Sequence, residues 1–168
     1  MIYNRKTFFL AQGAIISAIY VVLTLLFSPI SFGLLQVRFS EILTILPVFS
    51  LSAVPGLIFG CLIGNLVSGA PIIDVILGSM ATLIAACATY LLRDKSYIIA
   101  SIPPVVTNAV VVSLILRYAY HIPVPLWFSA MSVGAGELIS CTLCGVFFAK
   151  VFEKRLKNIF SQGKQSIH

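Results

Sequence analysis

The sequence has 168 residues, 60% of them hydrophobic, with 11 Lys+Arg against 5 Asp+Glu and a mean hydropathy of +1.07. Soluble domains carry roughly a quarter charged residues, so a charged share of 10% excludes an ordinary water-exposed surface and points to an all-α integral membrane protein. No polar stretch is long enough for a second domain, so residues 1–168 read as a single membrane domain; the net charge of +6 reports topology rather than nucleic acid, because the basic residues lie near span ends.

A helix rising ~1.5 Å per residue needs ~20 apolar residues to cross ~30 Å of hydrocarbon. That ruler predicts a bundle of six transmembrane helices, over about 8–27, 39–51, 56–69, 72–92, 97–118 and 126–152. Arg5 and Lys6 precede the first, and the stretch that follows has no ionisable group before Arg38. A secretory leader is shorter and ends in a small-residue site, so this helix is expected to be retained. Between Glu41 and Asp74 lie 32 uncharged residues, interrupted by Ser50-Leu-Ser-Ala-Val-Pro55-Gly56, a turn signal because proline and its predecessor resist helix continuation. Ala70-Pro71 ends the third helix, Arg93-Asp94-Lys95 follows the fourth, and His121-Ile-Pro123-Val-Pro125 closes the fifth.

One tilted span from Glu41 to Asp74 would instead leave five helices. With six, Arg5, Lys6, Arg93, Lys95, Lys150, Lys154, Arg155, Lys157 and Lys164 share one side and only Arg38 and Arg117 face the other. The positive-inside rule then puts both termini in the cytoplasm. Tyr97 on the inner side and Tyr118, Tyr120 and Trp127 on the outer side fit interfacial aromatic belts.

Ionisable and amide side chains inside hydrocarbon are functional candidates by default. Arg38 and Glu41 open the second helix, Asn65 lies near the outer end of the third, and Asp74 opens the fourth. Asn108 and Glu137 each lie about eleven residues into a helix, ~16 Å deep and near the midplane. These groups occupy the outer half or the middle, which suggests an outward-opening pocket rather than a pore. Each also has a structural reading. Arg38 and Glu41 make an interfacial ion pair, Asp74 complements a helix N-terminus, and Asn65 and Asn108 hydrogen-bond between helices. Glu137 has no basic residue at its depth, follows Gly134-Ala-Gly136, and shares a face with Ser140, Cys141 and Cys144.

Gly56, Gly60 and Gly64 form a G-x-x-x-G-x-x-x-G ridge and Ala14-Ile-Ile-Ser-Ala18 an A-x-x-x-A row extended by Ala11; such rows mark helix contact faces, inside the bundle or outside it. Cys141-Thr-Leu-Cys144 has no second pair and no nearby His, so it reads as packing. Phosphate-loop, H-E-x-x-H and G-x-S-x-G motifs are missing. No enzyme activity, cofactor or metal is therefore expected, and energy for uphill transport must come from a partner or a coupled ion.

Six short helices, an outward polar pocket and Ala14-x-x-x-Ala18 resemble the substrate-binding (S) component of an energy-coupling factor (ECF) transporter. Gln36-Val-Arg38-Phe-Ser40-Glu41-Ile-Leu-Thr-Ile-Leu-Pro47 and Gly134-Ala-Gly-Glu137 narrow the resemblance to the QueT family of queuosine-precursor transporters, over nearly the whole chain. The resemblance implies capture of a 7-deazaguanine base, such as queuine or its aminomethyl precursor, outside a bacterial cell. It also implies assembly with a transmembrane coupling (T) protein and two cytosolic ATPase subunits, with Ala11, Ala14 and Ala18 as the docking face. A deazaguanine edge suits a carboxylate and an amide, which Glu137 and Asn108 offer, and a cationic substituent suits Glu41 or Asp74. Phe32, Phe39 and Trp127 compete to stack on the ring. Another vitamin, or a self-sufficient proton-coupled carrier using Glu137, is the alternative.

Overall fold

In the computed structural model, residues 5–27 and 38–161 are described. The described residues are helical, without strands. Four helices are long and apolar enough to cross a membrane: α1 (Arg5–Leu26), α3 (Ile72–Leu91), α4 (Tyr97–Tyr118) and α5 (Leu126–Phe160). Between α1 and α3 lie two shorter apolar segments, a 3-10 helix (Phe39–Val48) and α2 (Ala53–Val67). Large apolar side chains cover the exterior, including Leu91 at 76% and Phe147 at 70% exposure, as suits a molecule whose solvent is lipid.

Successive helices pack side by side in the order α1, α2, α3, α4 and the first half of α5. The 3-10 helix is held among α1, α2, α3 and the second half of α5, and seven of its ten residues, Ser40, Glu41, Leu43, Thr44, Ile45, Leu46 and Pro47, are buried. Long 3-10 runs are uncommon because their hydrogen bonds are poor. Here Pro47 cannot donate to a carbonyl four residues back, and the Thr44 hydroxyl donates to the Glu41 carbonyl at 2.6 Å. One consequence governs the core. At three residues per turn, side chains i and i+3 eclipse, so Glu41 and Thr44 share one edge of it.

The glycine ridge of α2 packs inside the bundle, against α1. A Cβ on Gly56 would stand 2.7 Å from the Gly13 carbonyl, and one on Gly60 2.7 Å from Tyr20 Cβ, so the backbones approach closely only without those atoms. Helix α2 begins at Ala53, three residues before the sequence boundary, because Pro55 falls in its first turn where a missing N–H is harmless. It ends at Gly69 with φ +76°, and Ala70 N–H donates to the Asn65 carbonyl at 3.0 Å, a Schellman closure.

Helix α4 contains Pro103 and Pro104 near its start. Pro104 has no N–H for the Ala100 carbonyl, and the buried Thr89 hydroxyl of α3 donates to that carbonyl at 3.0 Å instead. Helix α5 is 35 residues long, roughly 50 Å at 1.5 Å per residue, and extends past the 152 boundary to expose Lys154, Arg155 and Lys157. Its middle, Leu138–Cys144, is a π-helix starting one residue after Glu137.

Candidate functional site

Polar side chains from four elements meet in the core. Tyr20 is carried on the face of α1 that rides over Gly60, and its hydroxyl donates to Glu41 Oε1 at 2.5 Å. On the other side, Asn108 of α4 donates through Nδ2 to Glu137 Oε1 at 2.9 Å. The Cys141 thiol, one turn further along α5, donates to Glu137 Oε2 at 3.0 Å, while the Thr44 hydroxyl reaches Cys141 Sγ at 3.4 Å. All are buried, with Glu41 and Glu137 each 1% exposed. One atom from each of Glu41, Glu137 and Cys141 lies within 4.8 Å of the others, so two carboxyl groups from different helices share one buried space. A π-helix at such a place fits the general association of these bulges with functional sites.

A second group joins the start of the 3-10 helix, the start of α3 and the end of α4. Arg38 Nη2 lies 3.8 Å from Asp74 Oδ2, and the Tyr120 hydroxyl donates to the same oxygen at 2.8 Å. Burial, and then the charge of Asp74, raise the Tyr120 phenol above its ordinary pKa, so it remains a donor. Asn65, 1% exposed, donates to Cys61 Sγ at 3.7 Å. Among the described residues, the buried Asp74 Oδ1 and Ser140 Oγ have no hydrogen-bond partner.

Arg38, Glu41, Asn65, Asp74, Asn108 and Glu137 are thus all in the core, and Arg38 pairs across elements with Asp74. Asn108 and Glu137 bond to one another. Phe39 is half-buried, its ring centroid 4.3 Å from that of Phe27. Trp127 is not brought to the core: it is 66% exposed and packs edge-on against Phe128. Phe32 lies outside the described residues. Gly134 faces Ala109 of α4, 3.6 Å from the position of a Cβ. The two cysteines of the C-x-x-C spacing diverge, Cys141 buried in the polar core and Cys144 half-buried beside Phe147.

Sequence reasoning missed Tyr20 and gave Tyr120 to an aromatic belt, whereas its hydroxyl turns inward to Asp74. A Tyr in mid-span was the available signal, since a buried phenol needs a partner. Cys141 was read as packing, and only the fold reveals its place beside two carboxyl groups.

On the outside of α1, Ala14 and Ala18 are exposed and Ala11 half-buried. Ala14 and Ala18 line a groove of about 720 Å³ walled by Val22 on α1 and by Phe59 and Ile63 on α2. Nothing in the described chain covers that face.

A family model described as QueT transporter matches residues 10–154. The chain is 36% identical over 94 residues to the queuosine precursor transporter QueT of Lactococcus lactis subsp. cremoris (strain MG1363), a match that covers 55% of this chain and 55% of that protein. The chain thus spans about half the length of the curated relative it matches. No solved structure matches it. The family and this relative are transporters, not enzymes. A match running through nearly every helix that surrounds this polar core means that the chain belongs to the QueT transporter family.

Proposed function

We propose that the chain is the substrate-binding component of an ECF-type importer in a bacterial cell membrane, capturing a queuosine precursor from outside. In this reading it crosses the membrane six times, the 3-10 helix and α2 making one short crossing each, with both termini inside. The nine-to-two distribution of basic residues and the positive-inside rule support that topology. The printed function of the Lactococcus lactis relative supports the substrate.

The observation that carries the reading is the buried Asn108–Glu137 pair. A 7-deazaguanine such as queuine or its aminomethyl precursor presents an N1–H and an exocyclic amine along one edge, two donors that a carboxylate accepts in parallel. Among the described residues, Glu137 Oε2 accepts from the Cys141 thiol, a weak donor that a ring N–H readily replaces. The Asn108 amide then serves the ring carbonyl, and Phe39 offers a face for stacking. A coupling protein docks on Ala14 and Ala18, with Ala11 at the edge of the surface, and two cytosolic ATPases supply the energy.

Calorimetry on the purified chain tests the substrate, with a 7-deazaguanine base and a panel of vitamins as ligands. Tight binding of the base and poor binding of the panel is expected, because a site built to pair a polar edge rejects ligands that leave its groups unpaired. Preference for riboflavin, thiamine or biotin would overturn the assignment. Copurification of the coupling protein and both ATPases tests the assembly, and a chain that drives uptake alone would instead be a proton-coupled carrier.

A further inference from the structure

One end of the bundle, where α1 begins and α5 ends, holds a cavity of about 490 Å³ apart from the polar core. Its apolar walls include Phe8 and Phe9 of α1, Phe49 and Leu51 beyond the 3-10 helix, and Phe160 of α5. Arg5, at the start of α1, and Arg93, in the turn after α3, line the same space. The wall between α1 and α5 stands without either arginine. Gln12 donates through Nε2 to the Ile159 carbonyl at 3.1 Å, and its Oε1 accepts from Ser52 Oγ at 3.0 Å.

Charge at this end is unbalanced. The chain has five acidic residues, of which Glu41, Asp74 and Glu137 are buried in the core and Glu153 pairs with Lys157 at 2.5 Å. Asp94 alone among the five lines the cavity, its Oδ2 4.0 Å from Arg93 Nε. Arg5 has no ion pair among the described residues. Lys6 and Lys95 line two smaller cavities that adjoin this one through Arg5 and Arg93. Arg93 lies over the Tyr90 ring, its Cζ 4.4 Å from the centroid, and a guanidinium held on an aromatic face presents its N–H fork to a phosphate.

We propose that this cavity holds the phosphate of an anionic phospholipid between Arg5 and Arg93. A soluble phosphate ester offers the same charge, and the walls decide for the lipid. Phe9 also walls the alanine-lined groove. With Leu10, 68% exposed, it carries the apolar surface from the arginines onto the outer flank of α1, where an acyl chain lies. Basic pockets between membrane helices take anionic headgroups by joining charge at the rim to apolar depth. The site is independent of the deazaguanine reading, since none of its residues belongs to the polar core.

Melting of the purified full chain in neutral detergent tests this, with phosphatidylglycerol, phosphatidylcholine or glycerol phosphate added. Phosphatidylglycerol should raise the wild-type melting temperature at least about 3 °C more than the same mole fraction of phosphatidylcholine, as occupation of a specific site does. Glycerol phosphate should raise it by under about 1 °C. Arg5→Gln with Arg93→Gln should lose at least half of the phosphatidylglycerol excess. Lys154→Gln with Arg155→Gln removes the same charge outside the cavity and should keep it. All four side chains are exposed, so both variants should melt near the wild type before any addition; should either not fold, the three wild-type additions decide. Equal shifts with the two lipids overturn the inference, and an equal shift with glycerol phosphate makes the site one for a soluble phosphate ester, which overturns the lipid. An excess that survives in Arg5→Gln with Arg93→Gln, or falls equally in both variants, also overturns it.

Discussion

The two carboxyl groups at the centre are held differently, and their variants should behave differently. Glu137 accepts from Asn108 and from a weak thiol donor, so in the proposed role its second oxygen is offered to the ligand. Glu137→Gln keeps the shape and replaces one acceptor with a donor. Affinity for the deazaguanine should fall at least about tenfold, the 1.4 kcal/mol that one charged hydrogen bond supplies, while the melting temperature stays near that of the wild type. Unchanged affinity in a folded variant would make Glu137 a structural residue. Tyr20 presents the reverse case. Its hydroxyl satisfies Glu41 Oε1 in the core, and Tyr20→Phe leaves that oxygen bare, a loss of about 1–3 kcal/mol of stability. A lower melting temperature in detergent checks this, and an unchanged one would mean that Glu41 finds another donor.

At the scale of elements, the interface of α1 with α2 and that of α4 with α5 both use glycine, to different effect. Gly60 has Tyr20 Cβ only 2.7 Å from the place of a Cβ, and neither helix backbone yields easily. Gly60→Ala should destabilise the protein by about 1–3 kcal/mol, as overpacking does, and weaken ligand binding because Tyr20 moves with α1. At Gly134 the nearest atom, Ala109 Cβ, is 3.6 Å away, an ordinary contact. Gly134→Ala should be neutral or stabilising by a few tenths of a kcal/mol up to about 1 kcal/mol, since alanine narrows the unfolded ensemble. Paired melting curves of the two variants check the contrast. Equal losses would mean that glycine is required on both interfaces.

For the whole molecule, the polar core and the alanine-lined groove, the proposed ligand site and docking face, lie on separate faces of α1. Tyr20 points into the core, whereas Ala14 and Ala18 line the outer groove. Bulky replacements, Ala14→Trp with Ala18→Trp, hold a partner helix away and forfeit close contacts. Ligand binding in detergent should stay within about threefold of the wild type, a change under 1 kcal/mol. Uptake by cells and copurification of the ATPases should both be lost. Retained uptake in a well-expressed double variant, abolished by an uncoupler that spares ATP, would favour the autonomous carrier.

Composition alone determined the membrane character, because helices that face lipid cannot hide an apolar exterior, and span lengths anticipated four long apolar helices, the last of which runs on to Phe160 rather than ending near 152. Buried ionisable and amide groups are rare enough in such a chain that Arg38, Glu41, Asp74, Asn108 and Glu137 stood out by identity, and each lies in the core. What they bond to was decided by tertiary structure. The three-residue period that sets Glu41 and Thr44 on one edge belongs to a 3-10 helix, whose sequence also suits an α-helix. The meeting of Tyr20 with Glu41 depends on how closely α2 lets α1 approach. The bond from Tyr120 to Asp74 joins residues 46 positions apart. Trp127 shows the same limit from the other side, since an aromatic residue at a span end serves lipid or ligand equally well until packing turns it outward.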